Sequence, residues 1–231
     1  METLANAQKA DDASGALFSA AQSGQVDRVT ALLAAADTRE IPVQEEMHDA
    51  LQIAIRNDFP AVVRVLCAAG AHFGLAVQKY TIMFVYPRQS GNAVEERRNF
   101  QPIHLAASAG SASCISELVS NLQVPTGARD SSKDTPLHWA CRFAHVDAIR
   151  KLLAVKARVG DQNDIADTPL VVAAVYRHIR CVKALVASRL EEPVLRRAIS
   201  RERYCTDHCR TIPGLLARAL QLHTQSATAV E

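Results

Sequence analysis

One pattern returns five times along this chain: an apolar residue, an alanine three positions later, and an apolar pair about twelve residues after that. The copies read GALFSAA from Gly15, DALQIAI from Asp49, QPIHLAA from Gln101, TPLHWAC from Thr135 and TPLVVAA from Thr168. Their apolar position is Leu17, Leu51, Ile103, Leu137 and Leu170, and their alanine is Ala20, Ala54, Ala106, Ala140 and Ala173. The closing pairs are Leu32-Leu33, Leu66-Cys67, Leu118-Val119, Leu152-Leu153 and Leu185-Val186. Copies begin 34, 52, 34 and 33 residues apart. A unit of that length cannot bury a face alone, so stacked repeats are predicted in place of a closed globule.

Each unit reads as two short helices. Thr135-Pro136 and Thr168-Pro169 are helix starts, because threonine caps orphan N–H groups and proline suits the first turn. Gln101-Pro102 repeats the proline. A fixed alanine lets two helices approach closely. Val29, Val63, Ile115, Ile149 and Val182 precede the closing pairs by three and four residues, which makes one buried stripe on the second helix.

The stretch TPLHWACRFAHVDAIRKLLAVKARV, from Thr135 to Val159, resembles an ankyrin repeat, and the resemblance runs from Gly15 to about Val186. It implies an all-α, ankyrin-type α-solenoid of stacked helix pairs, joined by short β-hairpin fingers. The glycine that usually ends the first helix is kept at Gly24 and Gly110, but is Asp58, Ala144 and Arg177 in the other copies. Those three turns are therefore expected to carry strain or a different geometry. The Gly-Ala after the second helix is kept only at Gly70-Ala71. His104 and His138 look like the family's motif histidine, which supports the finger by hydrogen bonding.

The organisation expected is a polar tail over 1–14, a solenoid over 15–190 with an insertion at about 74–99, and a degenerate capping unit with a tail over 191–231. The insertion holds Tyr80-Thr-Ile-Met-Phe-Val-Tyr86, a strand-like run, then Pro87 and a turn-like Gln89–Asn92. It reads as one elongated finger. In the cap, Glu192-Pro193-Val-Leu-Arg-Arg-Ala-Ile199 keeps the apolar step and the alanine, and the arginines give the polar outer face that a solenoid end requires.

Of the six cysteines, Cys67, Cys114, Cys141 and Cys181 fall where other copies have Ala, Val or Leu, and read as small core residues. Cys205, His208 and Cys209 share one helix face, but a fourth ligand for tetrahedral zinc is missing at any usual spacing. They read as cap packing, with no metal or cofactor expected. Asp161, Asn163, Asp164 and Asp167 lack the glycine and closing glutamate of a calcium loop and suit Asx-turns instead. Gly-rich phosphate loops, zinc-protease His-Glu pairs and nucleophile elbows are absent, so no enzyme is predicted.

Charge separates along the chain: residues 1–60 are net −6 and residues 131–231 are net +6. Acidic residues interleave in the basic half, and no nucleic-acid motif accompanies it, so nucleic acid is set aside as a partner. Polar residues at the start and the lack of a long apolar run point to the cytoplasm or nucleus, with no membrane role.

The function expected is a non-catalytic protein-binding scaffold or adaptor, monomeric alone. The resemblance places contacts on finger tips and first-helix ends. Here those positions include Arg56, Asn57, Arg97, Arg98, Phe100, Ser131, Ser132, Arg142, Phe143, Asp164, Ile165, Val175 and Tyr176. Aromatic and arginine anchors dominate binding energy, so the partner expected is a segment with apolar anchors and carboxylates. The alternatives are a structural subunit using the 74–99 insertion, a ubiquitin-ligase substrate adaptor suggested by Ile212-Pro213-Gly-Leu-Leu, and an enzyme with an unrecognised site.

Overall fold

The structure, a computed structural model, describes residues 15–36, 43–71, 101–188, 192–202 and 211–228. The tail over 1–14, the insertion at 74–99 and the Cys205–His208–Cys209 cluster lie outside the described residues.

Proline opens three of the first helices, and the residue before it is extended in each case. In two of them a histidine completes the start. The Nδ1 of His104 accepts the Gln101 N–H at 3.0 Å, and that of His138 accepts the Thr135 N–H at 3.1 Å. At the third start the residue in the histidine's place is Val171, and its N–H reaches the Thr168 hydroxyl at 3.4 Å.

The helices form two rows. First helices are α1 (15–22), α3 (Val43–Arg56), α5 (Pro102–Ala109), α7 (Pro136–Arg142), α9 (Pro169–Val175) and α11 (Glu192–Glu202). Second helices are α2 (Val26–Ala36), α4 (Pro60–Ala68), α6 (Ala112–Ser120), α8 (Val146–Ala154), α10 (Ile179–Val186) and α12 (Thr211–Thr228). From α3 onward each first helix packs on the next first helix, and each second helix packs on the next second helix from α2 to α12. The degenerate unit joins both rows, α11 against α9 and α12 against α10. No residue among those described lies in a strand.

Periodicity placed the core correctly. The repeated alanines are at most 1% exposed, and Ala198 in the degenerate unit is at 0%. Four of the five closing pairs divide: Leu66, Leu118, Leu152 and Leu185 are buried, while Cys67, Val119, Leu153 and Val186 are half-buried; in the first pair Leu32 and Leu33 are both half-buried. The division follows from helix geometry, since adjacent residues sit about 100° apart around the axis.

Adjacent units are also stitched by polar contacts. At the starts of α6, α8 and α10 a side chain reaches back one unit. The Ser111 hydroxyl donates to Ile55 O at 2.5 Å, and the His145 and His178 rings meet Ser108 O at 2.9 Å and Arg142 O at 3.0 Å. The contacts to Ser108 O and Arg142 O satisfy carbonyls that a helix end otherwise leaves orphaned.

Asp58, Ala144 and Arg177 hold the left-handed backbone of Gly24 and Gly110, with φ of 57°, 64° and 61° against 70° and 80°. Asp58 alone offsets that cost visibly. Its carboxylate caps α6, accepting Cys114 N at 2.8 Å and Ser113 N at 3.3 Å. The methyl of Ala144 has no such polar contact to make. Ala144→Gly is therefore expected to stabilise the fold by about 1 kcal/mol. Asp58→Gly is expected to gain nothing, because the lost cap offsets the relieved strain. Urea midpoints of both variants beside the wild type measure this, and a similar gain in both would show that the cap is idle.

Candidate partner-binding surface

Two finger loops are described, 121–135 between α6 and α7 and 155–168 between α8 and α9. Each ends in a tight turn closed from within. In the first, Lys133 N donates to Asp130 O at 2.9 Å and Asp130 N to Asp134 O at 3.1 Å. The Asp130 carboxylate accepts Ser132 N and Asp134 N, both at 2.9 Å. The second loop repeats this through Asn163, whose side-chain oxygen accepts Asp167 N at 2.8 Å. This is the Asx-turn chemistry expected of an Asp or Asn at that place.

Successive fingers are then joined. Asp164 N donates to Ser132 O at 3.0 Å, and Arg129 bridges to Asp161 at 3.3 Å and to Gln162 O at 3.1 Å. Each motif histidine holds the finger that follows its helix: Nε2 of His104 donates to Ala128 O at 3.1 Å, and that of His138 to Asp167 O at 2.9 Å. With Nδ1 accepting and Nε2 donating, each ring is used as the neutral tautomer. The tips are thus presented on a fixed backbone.

Beneath the fingers runs a buried polar network. The Trp139 indole donates to Asp130 Oδ2 at 3.0 Å, and the Asn163 amide donates to Asp134 Oδ1 at 2.8 Å. Arg142 donates to Asp134 Oδ2 at 2.8 Å, and its guanidinium carbon lies 5.0 Å from the Trp139 ring centre. This network belongs to the support of the fingers.

The sequence-predicted contact residues divide on this geometry. Arg56, Asn57, Ser131, Asp164 and Ile165 are exposed, with Ile165 at 62%. The Asn57 amide donates to Gln22 O at 3.1 Å, one unit back. Ser132 and Val175 are half-buried. Phe143 is half-buried and stacks on Trp139 at 5.9 Å, and Tyr176 is half-buried and stacks on His178 at 6.1 Å. Arg142 is drawn into the network, with a side chain 10% exposed. Arg97, Arg98 and Phe100 lie outside the described residues. Sequence reasoning missed the bridging roles of His145 and His178, although the two stand 33 residues apart at one repeat position.

Among the described residues no group of His, Cys, Asp and Glu lies close enough to hold a metal ion. Burial pushes the thiols of Cys67 and Cys181 up to about 11, and moves those of Cys114 and Cys141 upward as well. All four therefore remain protonated at neutral pH and are poor nucleophiles. No helix among the described residues is long and apolar enough to cross a membrane.

Compared with known families, the chain matches ankyrin repeats (3 copies) over residues 73–163 and 103–197, which together span more than half of it. This chain belongs to the ankyrin-repeat family. The helices before residue 73 pack onto the same two rows. No curated protein matches the chain. Ankyrin repeats generally serve as protein–protein interaction modules, a use that suits a surface of rigid, outward-facing tips.

Proposed function

We propose that this ankyrin-repeat chain is a non-catalytic adaptor that binds a protein partner through its finger tips and first-helix ends. The observation that carries the reading is Ile165. It is a large aliphatic side chain, 62% exposed, on a tip whose backbone is fixed by Asn163 and by the neighbouring finger. An anchor held in place before binding loses little conformational entropy on association, which favours affinity. Asp164 and Ser131 flank it as polar rim, and Arg56 and Asn57 extend the surface toward earlier units. Arg142 is engaged by Asp134, so recognition of partner carboxylates on this face falls to Arg56 and to the expected contributions of Arg97 and Arg98.

Affinity capture with the intact chain, read by mass spectrometry, identifies the partner. Ile165→Ser is then expected to weaken binding by about 1–2 kcal/mol with no change in thermal midpoint. Arg28→Ala, at an exposed position of α2, serves as the inert control. Equal capture by Ile165→Ser and wild type, together with loss of capture on deleting Tyr80–Asn92, would place the contact on the insertion and defeat the proposal.

A further inference from the structure

A groove of about 480 Å³ lies between α8 and α10, in the second-helix row. Its floor is apolar, with Val146, Leu153 and Ala184 half-buried, and its rim carries Arg150, Arg180 and Lys183, all exposed. The finger-tip surface makes no use of it.

An earlier pair of second helices in the same stack shows what is missing here. Between α4 and α6, Arg64 grips Glu117 through both oxygens, Nε to Oε1 at 2.6 Å and Nη2 to Oε2 at 2.8 Å. The Glu117 side chain is only 7% exposed, and the hydrogen bonds from Arg64 hold its carboxyl below the usual range. That fork straps two neighbouring second helices together. In repeat register, Arg150 of α8 stands where Arg64 stands in α4, and Ala184 of α10 stands where Glu117 stands in α6. The cation is repeated and its acid is replaced by a methyl group. Arg150 instead makes a 3.5 Å contact with Asp147, with both side chains at least 70% exposed, a pairing of little energy in water. Lys183 and Arg180 add two further cations with no acidic residue on α10 to meet them.

We propose that the α8/α10 groove is a second docking site, for a protein segment that covers Val146, Leu153 and Ala184 with apolar side chains and offers a glutamate or aspartate to Arg150. The partner's carboxylate takes the place that Glu117 fills against Arg64. A forked guanidinium matches a two-oxygen acceptor, and the apolar floor asks for side chains beside that acceptor. A nucleic-acid backbone brings no such side chains. A bilayer would call for large exposed apolar residues, and those among the described residues, Phe18 and Ile165, are not part of this groove.

The test uses the full chain and a short synthetic helical peptide with leucines and glutamates on one face, beside a twin with every glutamate changed to glutamine. The acidic peptide is expected to bind wild type and the twin to fail. Ala184→Glu supplies the missing acid from within and is expected to weaken peptide binding by about tenfold without lowering the thermal midpoint. Arg150→Ser, which copies Ser116 of α6 at the same repeat position, is expected to do the same and serves if Ala184→Glu folds poorly. Equal binding of both peptides, failure of the acidic peptide to bind wild type, or indifference to both substitutions would overturn the proposal. So would binding of phosphatidylserine vesicles or duplex DNA in place of the peptide, or a dimer of the chain alone that Ala184→Glu abolishes.

Discussion

Replacing Arg142 by alanine is expected to cost about 3 kcal/mol of folding stability, far more than an arginine at an exposed helix end. Its partner Asp134 has a side chain only 1% exposed. Burial opposes ionisation of that carboxyl, but Arg142, His138 and the Asn163 amide outweigh the penalty and hold it below its usual range. Truncating Arg142 removes the main counter-charge and leaves a carboxylate in a poorly solvated place. The double variant Arg142→Ala/Asp134→Asn removes the charge together with its partner, and is expected to recover part of the loss. Urea unfolding of the single and double variants checks both. A loss below about 1 kcal/mol for Arg142→Ala would mean that the pair behaves as a surface salt bridge. The result also guards the binding experiments, because a failure of Arg142→Ala to capture a partner would report lost folding.

Lowering the pH from 7 to 5 is expected to remove about 2 kcal/mol of stability through His104. Burial pushes its pKa from 6.5 down to about 4, against the opposing pull of the Ala128 carbonyl and of Asp134. Its Nδ1 already accepts an N–H from Gln101, so a proton there would face another donor. The unfolded chain binds that proton near pH 6.5 and the folded chain resists it until about pH 4. Stability is therefore full above about pH 6.5 and falls by about 1.4 kcal/mol per unit as pH drops toward 4. His138 is shifted in the same direction, again by burial, and adds to the loss. Asp134 works lower: its stabilising ionisation is lost only as pH falls below the ordinary value of 3.8. The interval between pH 6.5 and 4 thus isolates the histidines from that aspartate. Unfolding free energies at pH 7, 6 and 5 should show the slope, and His104→Gln should flatten it by about one proton. Identical slopes for the two proteins would refute the assignment.

Ankyrin repeats expose their register because each unit meets the same surroundings. Ala20, Ala54, Ala106, Ala140 and Ala173 recur at one offset because each fills the same close approach between helices, and periodicity alone locates it. The same regularity reveals where a unit departs: Asp58, Ala144 and Arg177 stand in a glycine column and take the glycine's backbone. What column-reading leaves open is why one departure is harmless. Asp58 caps a helix more than fifty residues further on, and nothing local to Asp58 announces that.

The candidate surface shows the same division. Arg142 and Phe143 occupy positions that a generic unit leaves outward, and composition favoured them as anchors. In the fold they turn onto Trp139 and Asp134, while Ile165, whose neighbours in sequence are polar or small, stays in solvent. Burial follows residue type and period, both of which are written along the chain, so helix pairs, core and stacking could be read directly. Polar partnerships such as Arg64–Glu117, Asn163–Asp134 and His145–Ser108 join residues 53, 29 and 37 positions apart. Hydrogen bonds and ion pairs act over a few tenths of an ångström, and distances that fine between remote residues exist only once the repeats have stacked.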